Sequence, residues 1–296
     1  MTPRAHAAFL HACALDVAVR KPGNVSWDSP GHGMQAPMFL ASAQAAAGPL
    51  FARGQPVGDR IEAAVEASWA AAGCNTNLGI VLLCAPIAAA AEKLGGVPAP
   101  AELRHGIEHV LAGLTVDDAR AAYRAIALAR PGGLGRAPRE DVRQQPTIDL
   151  RAAMALAGDH DVIARQYRDG YRDLFDLGLA ALPYGFSPST GAGGGRPEAP
   201  VIHAVQRLYL AWLARLPDSH IVRKHGLAAA HSVMQTAQVW HRRSEAGAAL
   251  DTDPDFIAWD LELKSGGLNP GTTADLTVAT LVLAGLGAPA QPGGRP

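Results

Sequence analysis

Two stripes of residues run through Asp161-Val-Ile-Ala-Arg-Gln-Tyr-Arg-Asp-Gly-Tyr-Arg-Asp-Leu-Phe-Asp-Leu-Gly-Leu-Ala-Ala-Leu182. Ile163, Tyr167, Gly170, Tyr171, Leu174, Leu177 and Gly178 recur at helical spacing, while Arg165, Arg168, Asp169, Arg172, Asp173 and Asp176 fall largely on the opposite side. An apolar face backed by a charged one at a period of 3.6 residues marks an amphipathic helix that buries one side. The same reasoning predicts helices over 5–20, 35–49, 57–72, 79–94, 100–113, 116–130, 149–157, 161–182, 199–215, 219–246, 253–264 and 273–286. No run of alternating Val, Ile and Thr is bounded by hairpin signals, so the fold class is all-α.

Composition narrows the class further. With 296 residues, 48% of them hydrophobic, the chain can bury a large core. No linker composition divides it, so 1–286 is expected to form one multi-helix globular domain and 287–296 a flexible tail. The 26 basic and 27 acidic residues leave a formal charge of -1, which argues against nucleic acid or an acidic membrane as partner. The apolar runs at Gly79–Ala91 and Val278–Leu286 fall short of the ~20 residues that span a bilayer, and Pro86 interrupts the first. Cys13, Cys74 and Cys84 lack a metal-ligand spacing and fit a reducing compartment, and His11 and Asp16 interrupt any signal-peptide core, so a cytoplasmic protein is expected. Oligomeric state is not legible.

Between the helices lie glycine-punctuated polar loops: Lys21-Pro-Gly-Asn-Val-Ser26 running on to Gly31-His-Gly-Met34, Gly73-Cys-Asn-Thr-Asn-Leu-Gly79, Pro131-Gly-Gly-Leu-Gly135, and Ser265-Gly-Gly-Leu-Asn-Pro-Gly-Thr-Thr-Ala-Asp275. Glycine lets backbone approach a ligand, and a helix start presents free amides to anions. Four such loops suggest one pocket made from helix ends. The glycine-rich stretch within 184–200 is either a lid or a linker.

In the first loop Lys21, Asn24 and Ser26 offer a charge and hydrogen-bond groups for phosphate, with His32 as a proton-transfer or orienting group; the alternative is a helix end and a surface turn. Asn75, Thr76 and Asn77 precede a helix, where one of them caps and the others are free to read a base edge or ribose. Thr272 or Thr273 can cap the last helix, and Asp275 in its first turn could present a carboxylate to Mg²⁺-bound phosphate. Asp218, Ser219, His220, Arg223, Lys224 and His225 form the densest ionisable cluster, in which Arg223 and Lys224 suit a polyphosphate. His105 and His109, four apart without a third ligand, read as surface histidines.

Taken in order, Arg20-Lys-Pro-Gly-Asn24, Gly31-His-Gly-Met34 followed by Phe39 and Ser42, Asn75-Thr-Asn-Leu-Gly79, Asp218 to Gly226, and Asn269-Pro-Gly-Thr-Thr-Ala-Asp-Leu276 resemble the triphosphoribosyl-dephospho-CoA synthase family over most of the chain. The resemblance implies a transferase of cofactor biosynthesis with ATP as substrate and Mg²⁺ as cofactor. In that family the ribose C1′ of ATP moves to a ribose hydroxyl and adenine leaves. It implies proton handling by His32 or Asp218, metal binding by Asp275, phosphate binding by Arg223 and Lys224, and orientation of base or ribose by Asn24, Asn75 and Asn77. Members acting on dephospho-CoA carry Pro-Lys-Pro-Gly-Leu-Val-Asp, His-x-Asp-Met-Asp and Asn-Thr-His-Lys-Gly in place of the first three motifs. Ala121 to Ile126, Pro131 to Gly135 and His160 to Tyr167 look more like an archaeal and methylotroph branch associated with methanopterin or methanofuran pathways. The alternatives are a noncatalytic binding or assembly protein for a one-carbon cofactor, and an all-α metal-dependent hydrolase of ribosyl or phosphorylated ligands.

Overall fold

Apolarity on all sides sets the centre of the molecule. The computed structural model describes residues 3–186, 188 and 196–287. In it α4 (Leu78–Leu94) is buried continuously from Ile80 to Ala91, and α13 (Gly271–Leu286) buries Leu276 through Leu283 and Leu286. A helix without a polar face has to be surrounded. Around this pair stand α1 (Pro3–Ala18), α2 (Ala36–Leu50), α3 (Val57–Ala72), α5 (Pro100–Ala112), α6 (Val116–Ala129), α7 (Leu150–Ala155), α8 (Val162–Arg168) and α9 (Ala199–Arg215). Each fully buried Leu, Ile or Val here contributes about 1.5–3 kcal/mol by leaving water.

A second apolar cluster joins α9 to α10 (Ser219–His225), α11 (Leu227–Glu245) and α12 (Pro254–Ser265), with Trp240 edge-on to Phe256 at 5.1 Å. Among the described residues every regular element is helical, with a 3₁₀ turn at Leu250–Thr252 and two isolated bridges, Ser26 with Ser29 and Gly31 with Met34. No helix among them is long and apolar enough to cross a membrane. The glycine run of the expected 184–200 loop and the expected tail beyond Gly287 lie outside the described residues.

Two expected helices are each broken in two. The 161–182 stretch gives α8, then Gly170 and Tyr171 in left-handed conformation, then a π-helical turn at Leu174–Leu179. The cause lies in α4. Pro86 has no N–H for the Leu82 carbonyl and crowds the preceding turn; Tyr167 Oη donates to Leu82 O at 2.6 Å and Tyr171 Oη to Leu83 O at 2.9 Å. α4 therefore runs through its proline, repaired from the neighbouring segment. The expected 219–246 helix ends at Gly226, whose φ of 85° no continuing helix adopts, giving α10 and α11.

Candidate active site

The N-terminal loop is fixed by what lies beneath it. Buried Asp260 on α12 accepts from Gly23 N at 2.8 Å, Ser29 Oγ at 2.6 Å, Arg20 Nη1 at 2.9 Å and Lys264 Nζ at 3.0 Å. Tyr209 Oη donates to Pro22 O at 2.7 Å. Gly23 is in left-handed conformation with Pro270 Cδ 2.7 Å from where a β-carbon would stand, so the loop abuts the 265–270 turn. Asn24 is thereby presented to a cleft, its Nδ2 donating to Asn269 Oδ1 at 3.1 Å.

The structure departs from expectation for the other residues of that loop. Lys21 is fully buried, with Nζ 3.2 Å from Asp16 Oδ1 and bonded to the Asp16 carbonyl, so its charge is spent on a carboxylate of the protein and Lys21 itself does not line the cleft. Ser26 is buried in the bridge with Ser29, and His32 Nε2 is 2.8 Å from Gly23 O; neither lines the cleft.

At the start of α4 the three polar residues divide their tasks. Asn75 Oδ1 accepts from Leu78 N at 3.2 Å and does the capping, and Thr76 Oγ1 donates to Ser42 Oγ at 2.7 Å. Asn77 occupies the cap position without capping; its Nδ2 is buried in the cleft wall without a partner. All three line the cleft.

α13 begins at Gly271, two residues earlier than expected, so neither Thr272 nor Thr273 is its cap and Asp275 lies beyond the first turn. The cap comes from another element. Asp218 Oδ2 accepts from Thr273 N at 2.7 Å and Thr273 Oγ1 at 2.8 Å, while Oδ1 caps α10 through His220 N at 2.8 Å and Ile221 N at 3.0 Å. Asp218 is 2% exposed and does not line the cleft: it clamps two helix starts together and is not placed for proton transfer. Thr273 is spent in the same clamp, while Thr272 faces the cleft.

Asp275 projects into the cleft against Gly79 of α4, whose missing side chain makes room for the carboxylate. Burial, with Asp16, Asp218 and Asp161 nearby, pushes its carboxyl well above the usual range, and Arg223 opposes them. Arg223 Nη1 pairs with Asp161 Oδ2, and its Nε is buried without a partner. Lys224 is exposed and lies against Gly132, outside the cleft lining.

The segments carrying Asn24, Asn75, Arg223 and Asp275, two loops and the helices α10 and α13, thus converge on one cleft of about 500 Å³. Pro131 to Gly135 and the chain onward to Val142 wall one side, where Tyr123, Ile126, Met154 and Ile163 make an apolar flank. Sequence reasoning gave no role to Asp16, His160, Asp161, His220 or Asn269, all of which line it. Asn269 and His220 stood inside quoted motifs; Asp16 was hidden within an apolar helix. Among the described residues no three His, Cys, Asp or Glu side chains group as a metal site.

Carboxamides, the Arg223 guanidinium and the Asp275 carboxyl thus share one cleft in an all-α frame. The chain belongs to the CitG family of ATP:dephospho-CoA triphosphoribosyl transferases, whose model matches residues 2–293. It is therefore a member of a transferase family. The fold is similar to a crystal structure from Archaeoglobus fulgidus described as a candidate triphosphoribosyl-dephospho-CoA synthase, at 24% identity and a TM-score of 0.61, covering 83% of this chain and 96% of that one. No curated protein sequence matches this chain significantly.

Proposed function

We propose that the cleft binds ATP and transfers its triphosphoribosyl group to a hydroxyl of dephospho-CoA or a related acceptor. The C1′–N bond to adenine breaks, the bonding pair leaves with the base, C1′–O forms to the acceptor, and the acceptor hydroxyl's proton is balanced by one taken up by adenine. The observation that carries this reading is the approach of Asp275 to the start of α4 beside Arg223, Asn24 and Asn77. The family membership favours a transferase over the noncatalytic binding protein and the hydrolase.

Mg²⁺ fits the residues present: Asp275 is a hard oxygen donor lining the cleft, and Asp16 and Asp161 add carboxylates to the same wall. Asp275 would hold the ion together with the substrate's phosphates, and the ion would neutralise phosphate charge. Arg223 then engages phosphate through the edge not paired with Asp161, and Asn24, Asn75, Asn77 and Thr272 orient ribose or base. Acceptor choice, including a one-carbon cofactor precursor as the branch resemblance suggests, falls to the Pro131–Val142 wall. Incubation with Mg²⁺, ATP and dephospho-CoA, followed by mass spectrometry, tests the reading. Free adenine with a triphosphoribosylated product is expected; ADP or ribose phosphate would overturn it.

A further inference from the structure

His220 has a role that neither the motif pattern nor the phosphate contacts require. It lines the cleft in the first turn of α10, and its Nε2 is buried without a hydrogen-bond partner. A buried polar atom left unpaired is costly, and a ligand that supplied the partner would remove that cost. The helix start that carries the ring is also fixed. The His220 backbone N–H is capped by Asp218, the neighbouring Ser219 Oγ accepts from Val162 N at 2.9 Å, and Nδ1 lies 2.8 Å from where a β-carbon on Gly271 would stand. A side chain at 271 would crowd the imidazole, so that one of the two would have to shift.

Burial, with Lys224, Arg223, His32 and His225 around it, pushes His220 down to about 4, so the ring is neutral at pH 7. A neutral imidazole offers one donor and one acceptor. Nε2 by itself donates or accepts according to the tautomer, and a hydroxyl meets either form; a phosphate oxygen meets only the Nε2–H form, and Arg223 one turn along is the better group for it. Of the other buried unpartnered atoms in the wall, Asn77 Nδ2 and Arg223 Nε only donate and Asp16 Oδ1 accepts.

We infer that His220 contacts substrate directly, its Nε2 hydrogen-bonding a ribose hydroxyl of the bound nucleotide. This rests on the nucleotide reading above. The test measures by calorimetry the binding of Mg²⁺ complexes of ATP, 2′-deoxy-ATP and 3′-deoxy-ATP to wild type, His220→Ala and His220→Gln, with thermal melting of each. Wild type is expected to lose about ten-fold in affinity for the analogue lacking the contacted hydroxyl, equivalent to ~1.4 kcal/mol. In His220→Ala that ratio falls toward one, and in His220→Gln, whose carboxamide also donates and accepts, part of it returns. Equal weakening of all three nucleotides by His220→Ala, or unchanged ATP binding, overturns the inference; if His220→Ala does not fold, His220→Phe, which keeps the bulk of the ring and removes both nitrogens, is read by the same two outcomes. Wild type that melts normally but binds none of the three overturns the nucleotide reading itself.

Discussion

The Asp275 carboxylate occupies the space that a side chain on Gly79 would need: a β-carbon there would lie 2.0 Å from Asp275 Oδ2. Glycine at the second residue of α4 is thus a condition for bringing a half-buried acid from α13 to the start of α4. The other close atom, Ile163 Cδ1 at 2.7 Å, ends a flexible side chain and can move.

Gly79→Ala is therefore expected to destabilise by about 1–3 kcal/mol through overpacking, although alanine favours helix. Transfer should fall by about ten-fold or more as Asp275 is displaced. In an Asp275→Ala background the stability cost should shrink, because the clashing atoms are gone. Urea unfolding of the four proteins of this double-mutant cycle checks it; an undiminished cost would place the clash elsewhere.

Asp275→Asn keeps the shape and removes the charge. The wild-type carboxyl is raised by burial and by neighbouring acids, so ionising it opposes folding, and the variant should melt at or above the wild-type temperature. Mg²⁺-dependent nucleotide binding should weaken by about ten- to hundred-fold, the scale of one lost contact to a charged group. Lower melting with normal binding would leave the metal proposal without a ligand.

Asp218→Ala removes four hydrogen-bond acceptances, two at the start of α10 and two from Thr273 of α13. A loss of about 3 kcal/mol or more is expected, since buried donors are left unpaired. The melting temperature is the measurement. Unchanged melting with abolished turnover would return Asp218 to the chemistry.

Protonation of His220 gives a pH signature. Its folded value near 4 lies below the ordinary 6.5, so its contribution to stability is fully present above pH 6.5 and is lost as pH falls toward 4. Between pH 7 and pH 4.5, wild type should lose more stability than His220→Gln, by at most about 3 kcal/mol. Comparing the two proteins cancels the carboxyl groups that titrate in the same range. Parallel urea midpoints across that window would show that the ring is already protonated or freely solvated.

Much of the fold was readable along the chain because helices are local. Most helix boundaries follow from periodicity within a few residues, and the full burial of α4 and α13 from their lack of a polar face. The breaks at Gly170 and Gly226 were not, because glycine in a helical pattern is a permission and not an instruction. Tyr171 takes its left-handed turn where its hydroxyl meets a carbonyl of α4, 88 residues away in sequence.

The site divides the same way. Composition and motif alone placed Asn24, Asn75, Thr76, Asn77, Arg223, Thr272 and Asp275 among polar groups at helix ends, and the folded chain sets all of them around one cleft. Only tertiary structure turned Lys21, Asp218 and Thr273 inward, because a lysine, an aspartate or a threonine in a loop looks alike whether its partner is a ligand or another helix. Their partners, Asp16 for Lys21 and Asp218 with Thr273, are fixed by how α1, α10 and α13 meet. Likewise His220 is one more ionisable residue in a charged cluster until the packing of Gly271 leaves its Nε2 buried and unpaired in the wall.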